Sequence, residues 1–404
     1  MPRKVCLCVV VLVSLVFADQ AFVGTASNGS LVMQPDSGRQ VLIDGVDFRA
    51  LVDKVGQLDA LADKVNALDR QLEAMRKGRA CTLVADRTTF PDFNGGNRWN
   101  GGVLAANGKV YGIPSDATSV LIIDPATNTA DVTSITGLSG TYKWIGGVAA
   151  ANGKIYGIPF DSESVLIINP ATNAVDITMM SGLSGSSKWY RGVLANNGKI
   201  YGFPHTSASV LIIDPDTNTT DVTAITGLQG AGKWLSGVQA GNGKIYGIPV
   251  TSDAVLIIDP ATNTIDTTSI AGLGGIGNWV GAVLAVNGKI YGIPFSSPSV
   301  LIIDPDTDTV DTTTMTGLGN TLKWVDGSLA GDGKIYSIPY ESESVLVIDP
   351  VTNTADTTSI TGLTGNSKWT GGVLAANGKI YGIPYNAPSV VILQQLCSTA
   401  QGIL

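Results

Sequence analysis

Apolar residues in this chain come in short runs that recur at a fixed interval. Val120–Ile123 reads Val-Leu-Ile-Ile, and the same run returns at 165, 210, 255 and 300, with Val-Leu-Val-Ile at 345. Ahead of each run lies Ile-Tyr-Gly-Ile-Pro or a close variant, and after it Asp-Pro or Asn-Pro. Seven tryptophans, at 99, 144, 189, 234, 279, 324 and 369, keep the same 45-residue spacing. Runs of four to six Val, Ile and Tyr residues bounded by Gly, Pro and Asn predict strands. Asn-Gly between two such runs, six times, and Asp332-Gly333 once predict two-residue hairpins, because both central positions need positive φ. Asp-Pro predicts a turn, since proline presets φ at its second position.

Each unit thus holds four strands of graded chemistry. The first is rich in Gly and Ala, the second and third in Ile, Tyr, Val and Leu, and the fourth, as in Ala130–Ile135, in Thr with Asp. Small side chains suit a crowded strand near an axis, large apolar ones the middle of a packed blade, and Thr and Asp an outer edge. A period of 40–50 residues with this gradient predicts an all-β, seven-bladed β-propeller over 81–399. The last unit lacks a fourth strand. Counting back from Trp99 without a gap, Asp86 aligns with Asp356 and Phe90 with Ile360, so the segment before Trp99 is expected to close the ring. The same register puts Cys81 and Cys397 at adjoining positions of the turn that the two chain ends replace, and a disulfide between them is expected.

The repeat Asn-Gly-Lys-Ile-Tyr … Val-Leu-Ile-Ile-Asp-Pro-Ala-Thr-Asn-Thr resembles kelch repeats and the YVTN-type repeats of bacterial surface propellers, over the whole of 81–397. It departs from kelch in having Ile113-Pro114 and equivalents where kelch has a double glycine. It also has Ala, Asp or Thr where kelch has Trp after the Thr-Asn-Thr turn.

Residues 1–18 read as a signal peptide: Arg3 and Lys4, then the apolar run Val5–Ala18, shorter than the roughly 20 residues of a membrane span. Residues 19–43 read as a polar leader with a glycosylation sequon at Asn28. Over 44–78, Leu51, Leu58, Val65 and Leu72 recur at sevens with Leu61, Leu68 and Met75 between them, which predicts an α-helical coiled-coil stalk and a homo-oligomer. Removal of the signal leaves Cys81 and Cys397 as an even pair, as a secreted protein favours.

A net charge of −8 with only 14% charged residues argues against nucleic acid, which needs a basic stripe. No segment after the signal is expected to span a membrane. The units diverge most after each Trp and after each Ile-Pro or Phe-Pro, where loops converge on one face around the axis; Tyr190, Arg191, His205, Asp326, Tyr340 and Tyr385 are the candidate ligand-binding residues. Relaxed drift at exposed positions is the competing explanation. The tryptophans are expected in the core, with a ring of aromatics and neighbouring cations (Arg98, Lys143, Lys188, Lys233, Lys323, Lys368) as the alternative. Asp304 and Asp214 open calcium-loop-like stretches that lack the twelfth-position acid and central Gly, so no metal or other cofactor is expected. Asn218 carries a second sequon. With one histidine and no nucleophile elbow or phosphate loop, catalysis is not expected, although Asp326 and Glu341 leave a carboxylate-pair hydrolase open. The reading is a secreted or cell-surface binding protein for a glycan or protein ligand. A structural coat component and a propeller hydrolase or lyase are the alternatives.

Overall fold

The computed structural model describes residues 79–399 apart from 275–277, together with four short strands earlier in the chain. Seven four-stranded antiparallel sheets follow one another. The first is built from Trp99–Leu104, Val110–Pro114, Leu121–Asp124 and Thr129–Asp131, and the next five repeat it at 45-residue intervals. The seventh contains Trp369–Leu374, Ile380–Pro384 and Val391–Thr399, with Arg79–Asp86 as its outermost strand. Innermost strands of successive sheets contact one another, the last returning to the first. This is a closed seven-bladed propeller.

The expected coiled coil is not supported: the described residues contain no helix, and Val46–Asp47, inside the 44–78 segment, is a strand paired with Leu42–Ile43. The reason is local. Asp44-Gly45 sits between apolar neighbours, which is the hairpin signal, and it outweighs the start of the heptad pattern. Oligomerisation through that helix loses its support. Residues 48–78, the signal segment 1–18 and Asn28 lie outside the described residues, as do the side chains of Cys81 and Cys397.

Strand alternation explains the core. In blade 1, Val110, Leu121 and Ile123 pack against blade 7, while Tyr111, Ile113 and Ile122 pack against blade 2. Both faces of every blade are buried, so the two middle strands read as nearly continuous apolar runs. Close approach also fixes the inner strand: a Cβ on Gly147 would stand 2.7 Å from Ile113 of the preceding blade, and one on Gly237 2.4 Å from Phe203. The tryptophans are only 2–4% exposed. Each indole N–H donates to the carbonyl 20 residues on, from Trp99 to Ser119 (2.8 Å) through Trp369 to Ser389 (2.9 Å).

The outer strand is shorter than its Thr-rich sequence suggests. It ends at Asp131 and its equivalents, because that carboxylate accepts the N–H of Thr133 (2.7 Å) and of Ser134 (3.1 Å) and takes the backbone out of the ladder. The bonds recur at all seven sites, Asp86 included. Hydrogen bonding from Thr314 and the turn N–H groups holds Asp311 down to about 2, and the same causes lower Asp266. A depressed folded-state pKa gives stability that is present above the unfolded value near 3.8 and is lost as pH falls toward 2. Urea midpoints should therefore hold down to about pH 4 and fall steeply below it. An Asp311→Asn variant should start lower and lose less between pH 4 and 2; parallel curves for the two proteins would refute the assignment.

A second repeated bond clasps blade to blade. Asn107 donates to the Pro170 carbonyl of the next blade (3.2 Å), and Asn152, Asn197, Asn242, Asn287 and Asn377 donate to Pro215, Pro260, Pro305, Pro350 and Pro125. Blade 6 carries Asp332 instead, and the equivalent of its target is not a proline but Gln395. There the polarity reverses: Gln395 donates to the Asp332 carboxylate (2.8 Å). Asn287→Asp should thus cost about 1–3 kcal/mol by setting a carboxylate against the Pro350 carbonyl. Asp332→Asn should cost less than about 1 kcal/mol, since the Gln395 amide can turn to accept. Equal losses in chemical denaturation would overturn this account.

Candidate functional site

All seven residues that follow a tryptophan line one cavity of about 200 Å³: Asn100, Ile145, Tyr190, Leu235, Val280, Val325 and Thr370. Their equivalence by 45-residue steps places the cavity on the ring axis, at the ends of the innermost strands. The wall is completed by Tyr142 and by Phe160, Phe295, Tyr340 and Tyr385, four of the residues that follow Ile-Pro. The result is a cup walled by aromatic and aliphatic side chains. Aromatic contacts brace it in two arcs. Phe160 meets Tyr190 edge-on at 6.0 Å, and Tyr340 lies between Phe295 (5.8 Å) and Tyr385 (6.3 Å).

One residue further along the inner strand is a second, smaller space of about 170 Å³, lined by glycines together with Arg191, Ser236 and Asp326. Here the repeats carry Gly101, Gly146, Arg191, Ser236, Gly281, Asp326 and Gly371. The two charged residues stand three blades apart and meet: Arg191 Nη1 donates to Asp326 Oδ2, and Nη2 donates to the Thr370 carbonyl (2.9 Å). Their side chains are 11% and 23% exposed. Arg191 also keeps the positive φ (50°) that glycine takes at Gly101 and Gly146. This pair therefore forms a bar in the axial channel, with its charges set against each other.

The candidate residues separate accordingly. Tyr190, Tyr340 and Tyr385 line the cup; Arg191 and Asp326 are spent on one another. Burial raises the Tyr340 and Tyr385 hydroxyls above the ordinary tyrosine value. His205 is half-buried beside the cup, stacked on Tyr190 (6.3 Å) with Nδ1 3.0 Å from the Ser187 carbonyl, and burial lowers its pKa. Asn218 sits on its turn at φ 54°, its Oδ1 buried against the protein. Asp304 is paired with Lys289 (3.1 Å) on the opposite turn.

The cations beside the tryptophans are buried under the loops and do not line the cup. Lys143 Nζ donates to the carbonyls of Ser115 (2.6 Å), Gly140 (2.8 Å) and Ala117 (3.0 Å), and Lys188 and Lys233 repeat the arrangement. Burial pushes Lys143, Lys233, Lys323 and Lys368 down to about 8. Arg98 bonds the Phe93 carbonyl (3.2 Å) in the same place, and Asn278 bonds Leu273 (3.2 Å). They satisfy loop carbonyls that the turns leave open.

No protein-family model matches the chain, and a search of curated proteins finds no match. Solved structures do resemble it. Virginiamycin B lyase from Staphylococcus aureus superposes with a TM-score of 0.61 at 11% identity, over 78% of this chain and 100% of that one. Kuenenia stuttgartiensis hydrazine synthase gives 0.57 at 13%, over 76% and 97%. An extracellular domain assigned to a hybrid two component system of B. thetaiotaomicron gives 0.56 at 10%, over 79% of this chain and 42% of that chain. At such identities the likeness is one of fold: a repeat-built propeller whose neighbours are not specifically kelch-like.

Removing one member of the axial pair leaves the other buried without a counter-charge. Asp326→Gly should cost about 3 kcal/mol, whereas the double variant Arg191→Gly/Asp326→Gly, which restores the glycine of the other blades, should lie within about 1 kcal/mol of the parent. Additive losses in a double-mutant cycle would mean that the two side chains do not interact.

Proposed function

We propose that this chain is a binding propeller that takes a glycan or protein ligand into the axial cup, as a secreted or cell-surface protein. One observation carries the reading: the seven positions at which copied units differ most visibly converge on a single concave, largely apolar cavity. Charged candidates nearby neutralise each other, which favours holding a ligand over acid–base chemistry at this place. His205, the chain's one histidine, has its ring stacked and one nitrogen at a carbonyl. A lyase of this fold is known from virginiamycin B lyase, whose catalytically inactive form carries a histidine-to-alanine change. The extracellular domain from B. thetaiotaomicron is a precedent for the same shape outside the cell. No helix among the described residues is long and apolar enough to cross a membrane.

Leu235→Trp should fill the cup, while Asp259→Ala alters the opposite-face turn. On glycan and peptide arrays the purified full chain and the Asp259→Ala variant should give the same hits, and Leu235→Trp should lose them. Hits that survive filling the cup, or that vanish equally with both variants, would overturn the reading.

A further inference from the structure

Aromatic side chains of the propeller fall into two sets. Seven of the eleven tyrosines, from Tyr111 to Tyr381 at 45-residue steps, belong to the second strand of a blade, and each hydroxyl bonds the Asn or Asp four residues before it. The other four, Tyr142, Tyr190, Tyr340 and Tyr385, all line the cup. Phe90, Phe93 and Phe203 pack in blade cores, whereas Phe160 and Phe295 line the cup as well. Packing does not demand rings there, because two units put Ser115 and Val250 at the position of Phe160. An aromatic wall with polar tips suits recognition.

Hydrogen bonding at this wall runs one way. The Tyr142 oxygen accepts from Asn97 (3.1 Å) and the Tyr190 oxygen from Asn100 (3.4 Å), and neither O–H has an acceptor among the described residues. Tyr385 has the Tyr142 hydroxyl beside it, and Tyr340 that of Ser367. Acceptors near the cup are taken or closed off. Asp326 is held by Arg191 and by the Gly327 N–H (2.9 Å), the Thr370 hydroxyl accepts the Gly101 N–H (3.4 Å), and Asn100 Oδ1 is buried away from the cavity. Behind the wall, Lys188, Lys323 and Lys368 direct Nζ to the carbonyls of Phe160 (3.0 Å), Phe295 (3.1 Å) and Tyr340 (3.0 Å). Among the described residues, then, the cup presents aromatic rings and O–H donors without a free charge or a free carboxylate.

We infer that the cup takes a proline of a protein ligand, its ring among the tyrosine and phenylalanine side chains and its flanking carbonyls on the Tyr190 and Tyr142 hydroxyls. This rests on the cup being the ligand site and names the chemistry it selects. An X-Pro amide accepts and has no N–H to donate, so nothing on it enters the apolar volume unpaired. Any other residue would bring an N–H to a wall that lacks an acceptor. Fixed φ also leaves a proline segment little freedom to lose, which is why aromatic-lined sites select such segments. A sugar ring would carry several hydroxyl donors to Ile145, Leu235, Val280 and Val325, where they find no partner. A cation would face three lysines with no carboxylate free for it. A carboxylate would be desolvated against lysines already spent on carbonyls. The volume of about 200 Å³ lies below the roughly 300–1,000 Å³ of pockets for larger ligands and admits the tip of a chain.

Affinities of the full-length protein for acetylated, amidated Ala-Pro-Pro-Ala and its all-alanine counterpart, and for choline and methyl α-glucoside, measured by ligand-observed NMR, test this. The prolyl peptide should bind about ten-fold or more tighter than the alanine peptide, whose N–H groups enter unpaired. Tyr190→Phe keeps the ring and removes the donor, and should weaken the prolyl peptide about five-fold or more while moving the alanine peptide less. Tyr142→Phe, at the exposed rim, should repeat the loss and serves if Tyr190→Phe lowers the thermal midpoint. Equal binding of the two peptides, or a prolyl affinity unchanged in both Phe variants, overturns the inference. Choline or methyl α-glucoside binding tighter than the prolyl peptide, and lost in Leu235→Trp, overturns proline and keeps the cup as the binding site. Absence of binding by the prolyl peptide also overturns proline, and array hits that survive Leu235→Trp remove the cup as well.

Discussion

Each blade buries both faces, and no blade can do so alone. Tyr111, Ile113 and Ile122 of the first blade have no core until Trp144, Ile155 and Leu166 of the second arrive, and Val110 and Leu121 have none until Tyr381 and Ile392 of the seventh return. Stability of the array is therefore a property of neighbour contacts, and a ring supplies one more such contact than an open stack of the same length. Closure through Arg79–Asp86 follows from this requirement. Without that strand the seventh sheet would keep three strands, and Leu83 and Ala85 would not cover the last blade's core. The inner-strand glycines, the clasps at the Asn-Gly turns and the buried lysines all serve the same contact from different distances to the axis.

That constraint also creates the cup. Seven inner strands brought together by glycine leave their ends too close for a wide channel and too far for direct packing, so whatever follows each tryptophan must fill the gap. Where the units carry glycine at the next position, the backbones nearly touch: a Cβ on Gly101 would lie 3.0 Å from Gly146. Arg191 and Asp326 take up room at this level, and the aromatic and aliphatic residues before them bound the space above. The cup at the axis is thus a product of packing, with its lining set by a few positions in a fixed frame.

Periodicity made most of this frame legible. Unit length, strand number, inside-to-outside order and the buried tryptophans can all be read from spacing, because each blade repeats one solution. Reading failed where a local signal competed or where a contact was remote. Over 44–78 the heptad spacing competes with Asp44-Gly45, whose hairpin preference agrees with Val46–Asp47 as a strand. The fourth strand is shorter than its Thr content suggests because the Asp131 carboxylate bonds its own turn. Lysines beside the tryptophans look like ligand cations in the sequence, which does not show that three carbonyls converge on Lys143. Arg191 and Asp326, expected at a ligand, pair with one another. Their opposite charges at a position that is glycine in four units, three units apart, are the signal that would have joined them.

Divergence among copied units has two sources, drift and selection, and the molecule offers a way to tell them apart. Drift changes one position at a time without regard to its contact. Asp332 changed from the common Asn where its target changed from a proline carbonyl to the Gln395 amide, and Arg191 faces Asp326 across the ring; in both cases the departure is matched by its contact. These departures are matched to contacts within the fold, although Arg191 Nε has no hydrogen-bond partner among the described residues. Asn100 is different. It occupies a position held by Ile, Leu, Val, Tyr or Thr in the other units, it is buried, and its contact inside the protein is incomplete. An apolar residue there would remove an unsatisfied amide. An amide oxygen without an internal partner, at a position that is aliphatic in four of the other units, is the departure that packing does not account for.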